Sequence, residues 1–244
     1  MKRSAPISKS WSNYRIGLTG AKGSLGNALS QKLRDKGAFV IGLTHSSLEQ
    51  KQLTDRGPHE FHQWSCGNEE SLKQIFSNLD ILIINHGINP LRKQSTKDIN
   101  SALEINAFSA WRLIEIFEEV SLKKTTPPYP KEIWINTSEA EIQPAFSPIY
   151  EISKRLIGQL VSIKSSNYNS IEKEKLKIRK LVLGPFKSSL NPFGIMSANF
   201  VADAIIKQIE LNISLIIISP NPITYILMPI TEIVRSIYYN ILKE

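Results

Sequence analysis

With one cysteine, Cys66, the chain can form no internal disulfide, and a reducing compartment such as the cytoplasm suits it. Four scattered histidines beside that thiol make no metal-ligand cluster, so no metal is expected. No run reaches the roughly 18 apolar residues needed to span a bilayer. Residues 1–13 are polar and basic without an apolar centre; they are not a secretory signal and read as a flexible tail. Basic residues are not interleaved with aromatics on one element, which argues against a nucleic-acid partner.

What is present suits one domain, residues 14–244, with a full core: 244 residues, 41% of them apolar. The formal charge of +8 fits an anionic ligand or an acidic membrane surface. Much of it lies in local clusters: Lys2, Arg3 and Lys9 in the tail, Lys123 and Lys124, and the run 172–180. That run alternates Glu with Lys and reads as a solvated face.

Buried strands are expected at 14–19, 38–43, 79–84, 132–137, 177–183 and 214–218, with a weaker one at 61–64. Residues 79–84 are apolar without alternation, as in a parallel sheet covered on both faces. Helical spacing fills the intervals: Leu25 to Leu33, a short helix capped by Asn68, a long stretch over 95–124, one starting at Ser147 and Pro148, another over 198–211, and a last amphipathic segment over 223–243. Residues 125–130 form a turn. Strand alternating with helix predicts an α/β, Rossmann-like, doubly wound fold, with a seven-stranded parallel sheet and helices on both faces.

The first strand runs into Gly20, Ala21, Lys22, Gly23, Ser24, Leu25 and Gly26 before the first helix. Glycines there let the backbone approach a pyrophosphate, and the helix start offers free N–H groups to its charge. After the second strand come Thr44, His45, Ser46 and Ser47, where a carboxylate would bind a ribose 2′-hydroxyl. No carboxylate is there, and Lys22 is a nearby cation, so NADP(H) is favoured over NAD(H); an ordinary turn is the plainer alternative. His86 reads as a packed loop residue and Cys66 as an incidental thiol. Asn106 falls on the apolar stripe of the long helix, where a buried amide is either a structural bridge or part of a site.

The centre of interest is 137–154. Tyr150 and Lys154 stand four residues apart, on one face of a helix, with Ser138 at the end of a strand. A close ammonium stabilises a phenolate, so the pair is expected to lower the Tyr150 pKa from about 10. The plain alternative is a surface helix that carries both residue types.

The order of these features resembles the short-chain dehydrogenase/reductase family in its compact form, over about residues 14–220. Thr19 to Gly26 is similar to its TGxxxGxG loop, with Ser24 at the middle glycine. Asn85 and Gly87 are similar to the end of its NNAG motif, with Ile84 and His86 at the other two positions. Asn106 is similar to its helix asparagine, Ser138, Tyr150 and Lys154 to its serine and YxxxK pair, and 184–188 to its PGPxxT stretch. The Ser-to-Tyr interval is one residue short, which leaves Thr137 as an alternative hydroxyl. The sequence also resembles members found beside lipid hydroxylases or desaturases.

The resemblance implies hydride transfer between a nicotinamide and a small-molecule carbonyl or alcohol. Tyr150 would be general acid and base. Ser138 would orient the reacting oxygen, Lys154 would tune Tyr150 and hold the ribose, and Asn106 would hold a water. The implied cofactor set is Gly20, Lys22, Gly23, Ser24, Leu25, Gly26, Thr44, His45, Ser46, Cys66, Asn85, His86, Gly87, Gly184, Pro185, Phe186 and Ser188, with Tyr150 and Lys154. A homodimer or homotetramer is expected. The alternative from another class is a non-catalytic NAD(P)-binding sensor or scaffold in a lipid-modifying system. The apolar stripe Ile226, Leu227, Ile230, Val234, Ile237 and Ile241 would cover the sheet or a subunit interface, or touch a membrane, with Pro229 interrupting the helix. Glu139 and Glu141 would face the substrate pocket or solvent, and Leu190 to Met196 would form a lid flexing at Gly194.

Overall fold

A computed structural model describes residues 11–46, 57–123 and 129–241. The tail clusters at Lys2, Arg3 and Lys9, the turn residue Ser47, Lys124, residues 125–128 of the turn, and Lys243 lie outside the described residues. The element order is β1 (Arg15–Thr19), α1 (Ser24–Asp35), β2 (Phe39–Thr44), β3 (Glu60–Gln63), α2 (Lys73–Ser77), β4 (Ile81–Ile84), α3 (Thr96–Leu103), α4 (Ser109–Leu122), β5 (Lys131–Ser138), α5 (Pro148–Asn167), α6 (Ser170–Lys175), β6 (Leu176–Leu183), α7 (Ala198–Glu210), β7 (Leu215–Ile218) and α8 (Thr224–Ile241). All seven strands pair in parallel, in the order β3-β2-β1-β4-β5-β6-β7. The α/β fold expected from the alternating pattern is therefore the fold observed.

Two-residue periodicity divides each strand between two cores. Ile81 and Ile83 pack with α1 and α7, against Leu29, Leu33, Val201 and Ile205. Leu82 and Ile84 pack on the opposite face with α2, α4 and α5, against Phe76, Phe117 and Ile157. Because parallel strands all point one way, the loops after β1, β2, β4, β5 and β6 gather at one edge, where open α/β sheets place ligands.

Four expectations need correction. The tail is docked from residue 11: Trp11 is buried edge-on against Trp134, 6.0 Å between ring centroids, and its indole N–H donates to Glu210. Asn68 makes no side-chain cap; a 3-10 turn, Glu69–Leu72, precedes α2. The 172–180 run is not a solvated face: its second half is β6, where Arg179 and Lys180 are buried. Arg179 forms a two-bonded pair with Glu132 at 2.8 and 2.9 Å. Lys180 reaches Glu141 at 2.7 Å and Glu232 at 2.9 Å, and Arg235 joins the same two carboxylates at 3.1 and 3.0 Å. Pairing with carboxylates is what makes buried cations tolerable.

The fourth correction concerns α8. Pro229 sits inside it without breaking it. The predicted apolar stripe does not cover the sheet: Ile226, Ile230 and Ile237 are all more than half exposed. Thr224, Met228, Glu232 and Arg235 form the inward line instead. The buried charges of Lys180 and Glu141 need partners, and α8 supplies them, so its polar side faces in.

Candidate active site

The site assembles at the carboxyl edge of β1, β4 and β5. Gly20 has φ +63°, the left-handed region that favours glycine, and a Cβ there would lie 3.0 Å from the His86 backbone. At Gly26 a Cβ would come within 2.2 Å of the Gly20 carbonyl, so the turn closes only with glycine. Gly23 is the N-cap of α1 and makes no side-chain cap, leaving the first N–H groups of α1 for a ligand, with Ser24 and Leu25 in the first turn. Thr19 Oγ1 accepts from the backbone N–H of Asn85 (2.9 Å) and of His86 (3.2 Å), which locks the β1 loop to the β4 loop. The Asn85 amide donates to Gly20 O at 3.3 Å.

At the next strands outward, His45 stacks near Trp64 at 4.3 Å, and Trp64 meets His86 edge-on at 5.3 Å. Burial, with the charges of His45 and Lys154 nearby, holds His86 near a pKa of about 3, so it stays neutral. Its Nδ1 lies 2.9 Å from Thr19 Oγ1, and the Ile105 backbone pulls its pKa the other way. Thr44 is buried at the end of β2 and accepts from the Ser46 N–H; His45 and Ser46 are exposed. Cys66 lies 3.8 Å from His45, its thiol pKa raised mainly by burial. Lys22 extends over the Phe61 ring at 5.5 Å, toward the β3 edge. The cradle at Gly20 and Gly26 and the uncapped start of α1 fit a dinucleotide along this edge.

Ser138 ends β5, buried, its Oγ accepting from the Ala140 N–H at 3.2 Å. Ser138 also lies close enough to Tyr150 to pull its pKa down, against the effect of burial. Thr137, one residue earlier, points to the other face and donates to Leu181 O at 3.3 Å. The period of a strand thus separates the two candidate hydroxyls, and Ser138 is the one that meets Tyr150.

Ser147 and Pro148 do start α5, although the Ser147 hydroxyl makes no cap bond. Lys154 Nζ lies 5.8 Å from the centre of the Tyr150 ring and donates to Asn136 O at 3.1 Å. The Tyr150 pKa is raised rather than lowered: burial is the largest cause, Ser138 opposes it, and Glu139 adds to it. Burial also brings Lys154 down to about 8, against the pull of Glu141. Helical spacing brought the pair together as expected, but removal from water dominates both groups.

Asn106 sits in a π-helical turn, Glu104–Phe108, between α3 and α4. Its Oδ1 accepts from Ile88 N (2.8 Å), and its Nδ2 donates to Ile88 O and to Ser153 Oγ, both at 2.9 Å. Ser153 in turn donates to Tyr150 O at 2.8 Å. Asn106 is therefore a bridge that fixes the Gly87 loop to the Tyr150 helix, and a Cβ on Gly87 would approach its Oδ1 to 3.0 Å. Sequence reasoning missed Ser153, Asn136 and the role of Thr19. Thr19 opens the quoted glycine motif, and Ser153 follows Tyr150 by three, the spacing for bonding back to a helix carbonyl.

Gly184 continues the β6 edge, its N–H donating to Ile218 O. Pro185, Phe186 and Ser188 belong to a loop folded on itself: Ile195 N bonds Pro185 O at 2.9 Å, and Phe186 and Ser188 bridge to Met196 and Asn191. A Cβ at Gly194 would lie 1.9 Å from the Phe186 carbonyl carbon, so this glycine is a packing contact and not the flexing point expected. Glu141 turns into the Lys180 pair, and Glu139 bonds Ser219 and Thr224 at the start of α8, so neither lies free in solvent.

The sequence profile described as the NAD dependent epimerase/dehydratase family matches residues 16–170. The chain belongs to the NAD-dependent epimerase/dehydratase family, with an NAD(P)-binding Rossmann fold. A curated relative, the monoglucosyldiacylglycerol epimerase of Synechocystis sp., is 42% identical over 227 residues, covering 92% of this chain and 54% of that protein. The chain thus spans about half the length of the curated relative it matches. Among solved structures, a short chain dehydrogenase from Burkholderia cenocepacia in complex with NADP superposes with a TM-score of 0.73 at 15% identity, over 97% of this chain and 100% of the other. The ligand-free aldohexose dehydrogenase of Thermoplasma acidophilum gives 0.68 at 14%, over 86% and 93%. These distant likenesses show the fold, which the short-chain dehydrogenases share.

Proposed function

We propose that the protein is an NAD(P)-dependent enzyme that inverts a hydroxyl-bearing carbon in the sugar headgroup of a glycolipid. The observation that carries it is the Ser138–Tyr150–Lys154 cluster past β5, beside the glycine cradle of β1, with Ser138 and Lys154 buried and Tyr150 partly exposed. The 42% identity to an epimerase of a glucosyl diacylglycerol favours the substrate class.

The residues of the α1 turn, the β2 end and the 184–188 loop would hold the cofactor, which when bound supplies a hydride acceptor. Tyr150 takes the proton from the substrate hydroxyl and returns it once the carbon has been reduced from its other face. Ser138 holds the oxygen through both steps. Lys154, mostly protonated near neutral pH, supplies the positive charge that a Tyr150 phenolate needs. The Asn106–Ser153 bridge keeps Tyr150 and the 87–88 loop in register. Absence of a carboxylate at Thr44, His45 and Ser46, with Lys22 leaning toward that edge, favours NADP(H).

The test is titration with NADPH and NADH, followed by assay on detergent-dispersed glucosyl diacylglycerol in deuterium oxide. Inverted sugar carrying no solvent deuterium at the inverted carbon is the expected product. Deuterium there would exclude hydride transfer. Cofactor binding with no turnover on any carbonyl, alcohol or glycolipid substrate would instead leave a non-catalytic module.

A further inference from the structure

The polarity of α8 is inverted. Over Thr224–Ile241 the two charged residues, Glu232 and Arg235, both turn into the protein, held by Lys180, Glu141 and Ser162. The opposite side carries Ile226, Ile230, Ile233, Ile237 and Ile241 at steps of three and four, each between 51% and 66% exposed. A surface helix in water normally shows the reverse arrangement. An apolar strip along a whole helix exceeds what soluble monomers usually leave bare.

We propose that this outward face of α8 docks on a lipid bilayer, with the helix lying in the interface and not crossing it. No helix among the described residues is long and apolar enough to cross a membrane. Interfacial helices bury an apolar face at the headgroup boundary, and tyrosines such as Tyr225 and Tyr238, both exposed, suit that depth.

Two observations select a lipid surface over a protein partner. The first is continuity with the active site. Thr224, at the start of α8, accepts from the Gln143 amide at 2.7 Å and lies 3.2 Å from Glu139, next to Ser138. Phe146, before the Tyr150 helix, is fully exposed, and Phe193 and Ile195 are exposed on the 184–197 loop, so the surround of the mouth also presents apolar side chains to its surroundings. The second is charge. Loops 86–95 and 184–197 at the mouth carry Arg92, Lys93 and Lys187, and the first turn of α3 adds Lys97 against one carboxylate, Asp98, leaving a net positive mouth. Asn89 ties these loops together by donating to Leu190 O at 3.2 Å. Apolar side chains within a net positive surface complement anionic headgroups. The docking rests on the proposed function in one respect: a glycolipid whose acyl chains stay in the bilayer has to meet Tyr150 at the membrane surface.

Flotation of the purified chain with phosphatidylcholine vesicles, with and without phosphatidylglycerol, tests it. Wild type and Leu211→Glu, a control on the opposite face of the sheet, are expected to float, more strongly with phosphatidylglycerol. Ile230→Glu/Ile237→Glu is expected to lose at least about tenfold in partitioning, with far-ultraviolet circular dichroism and NADPH affinity unchanged. Equal flotation of that variant and wild type, or no flotation of wild type, overturns the proposal. So does a wild-type dimer in sedimentation velocity that the same variant dissolves, which would make a second copy the occupant. Flotation needs neither cofactor nor substrate. A chain that floats but inverts no glycolipid loses the proposed function and keeps the docking; one that turns over dispersed glycolipid without floating does the opposite.

Discussion

Lys154 and Lys180 are both buried lysines, and the fold treats them in opposite ways. Lys180 is given two carboxylates, the Ser162 hydroxyl and the Gly158 carbonyl. Lys154 has the Asn136 carbonyl at 3.1 Å and the Tyr150 ring beside it. A lysine paired with carboxylates is a joint: it fastens β6 to α5 and α8. A lysine left without a directly bonded carboxylate keeps a depressed pKa and can trade charge with a neighbour or a ligand. The contrast separates a fully paired structural cation from one in the proposed active site, without reference to any relative.

The comparison breaks most sharply at Tyr150. Tyr150→Phe removes the proposed proton carrier beside Lys154 and is expected to lower turnover by about 10²–10⁴-fold, with NADPH affinity and thermal stability near wild type. Unchanged steady-state turnover would end the assignment of that cluster.

Lys180→Met is expected to do the reverse. It leaves Glu141 and Glu232 buried without their central cation, at a cost of about 3–5 kcal/mol in urea unfolding. Adding Glu141→Gln should recover part of that loss, and no recovery would mean the pair is not coupled as drawn.

A pH series sharpens the contrast further. The folded-state pKa of Lys154, about 8, is below its ordinary 10.5. Below pH 8 the lysine is protonated in both the folded and the unfolded chain, and the cost of burying its charge is fully present. Between pH 8 and 10.5 the folded chain releases the proton while the unfolded chain keeps it, so stability rises with pH across that window. Relative to Lys154→Met, wild type should gain up to about 3 kcal/mol there. A flat difference between their urea midpoints would show that Lys154 is not desolvated.

The smallest effect belongs to Gly158. A Cβ there would lie 2.0 Å from the Glu141 carboxyl carbon, so Gly158→Ala crowds the joint for about 1–3 kcal/mol. Differential scanning calorimetry should show a lowered melting point with cofactor binding kept.

The strands, the helices of the first half and the Ser138–Tyr150–Lys154 order were legible because they depend on local rules. Periodicity places a face, glycine spacing closes a turn, and four residues bring two side chains onto one helix face. The sequence by itself thus determined the α/β alternation and the placing of Ser138 at the end of a strand, with Tyr150 and Lys154 on the helix that follows. Three things waited for the tertiary structure. Glu and Lys alternating over 172–180 look solvated in isolation, yet Arg179 and Lys180 are buried because Glu132, Glu141 and Glu232 arrive from distant elements. The stripe on α8 looks like a core face, yet it faces outward because the charges on the other side of the helix are needed inside. The spacing of Tyr150 and Lys154 suggests a lowered phenol pKa, yet burial raises it. In each case, desolvation and the pairing of distant charges decide the outcome, and neither is encoded in neighbouring residues.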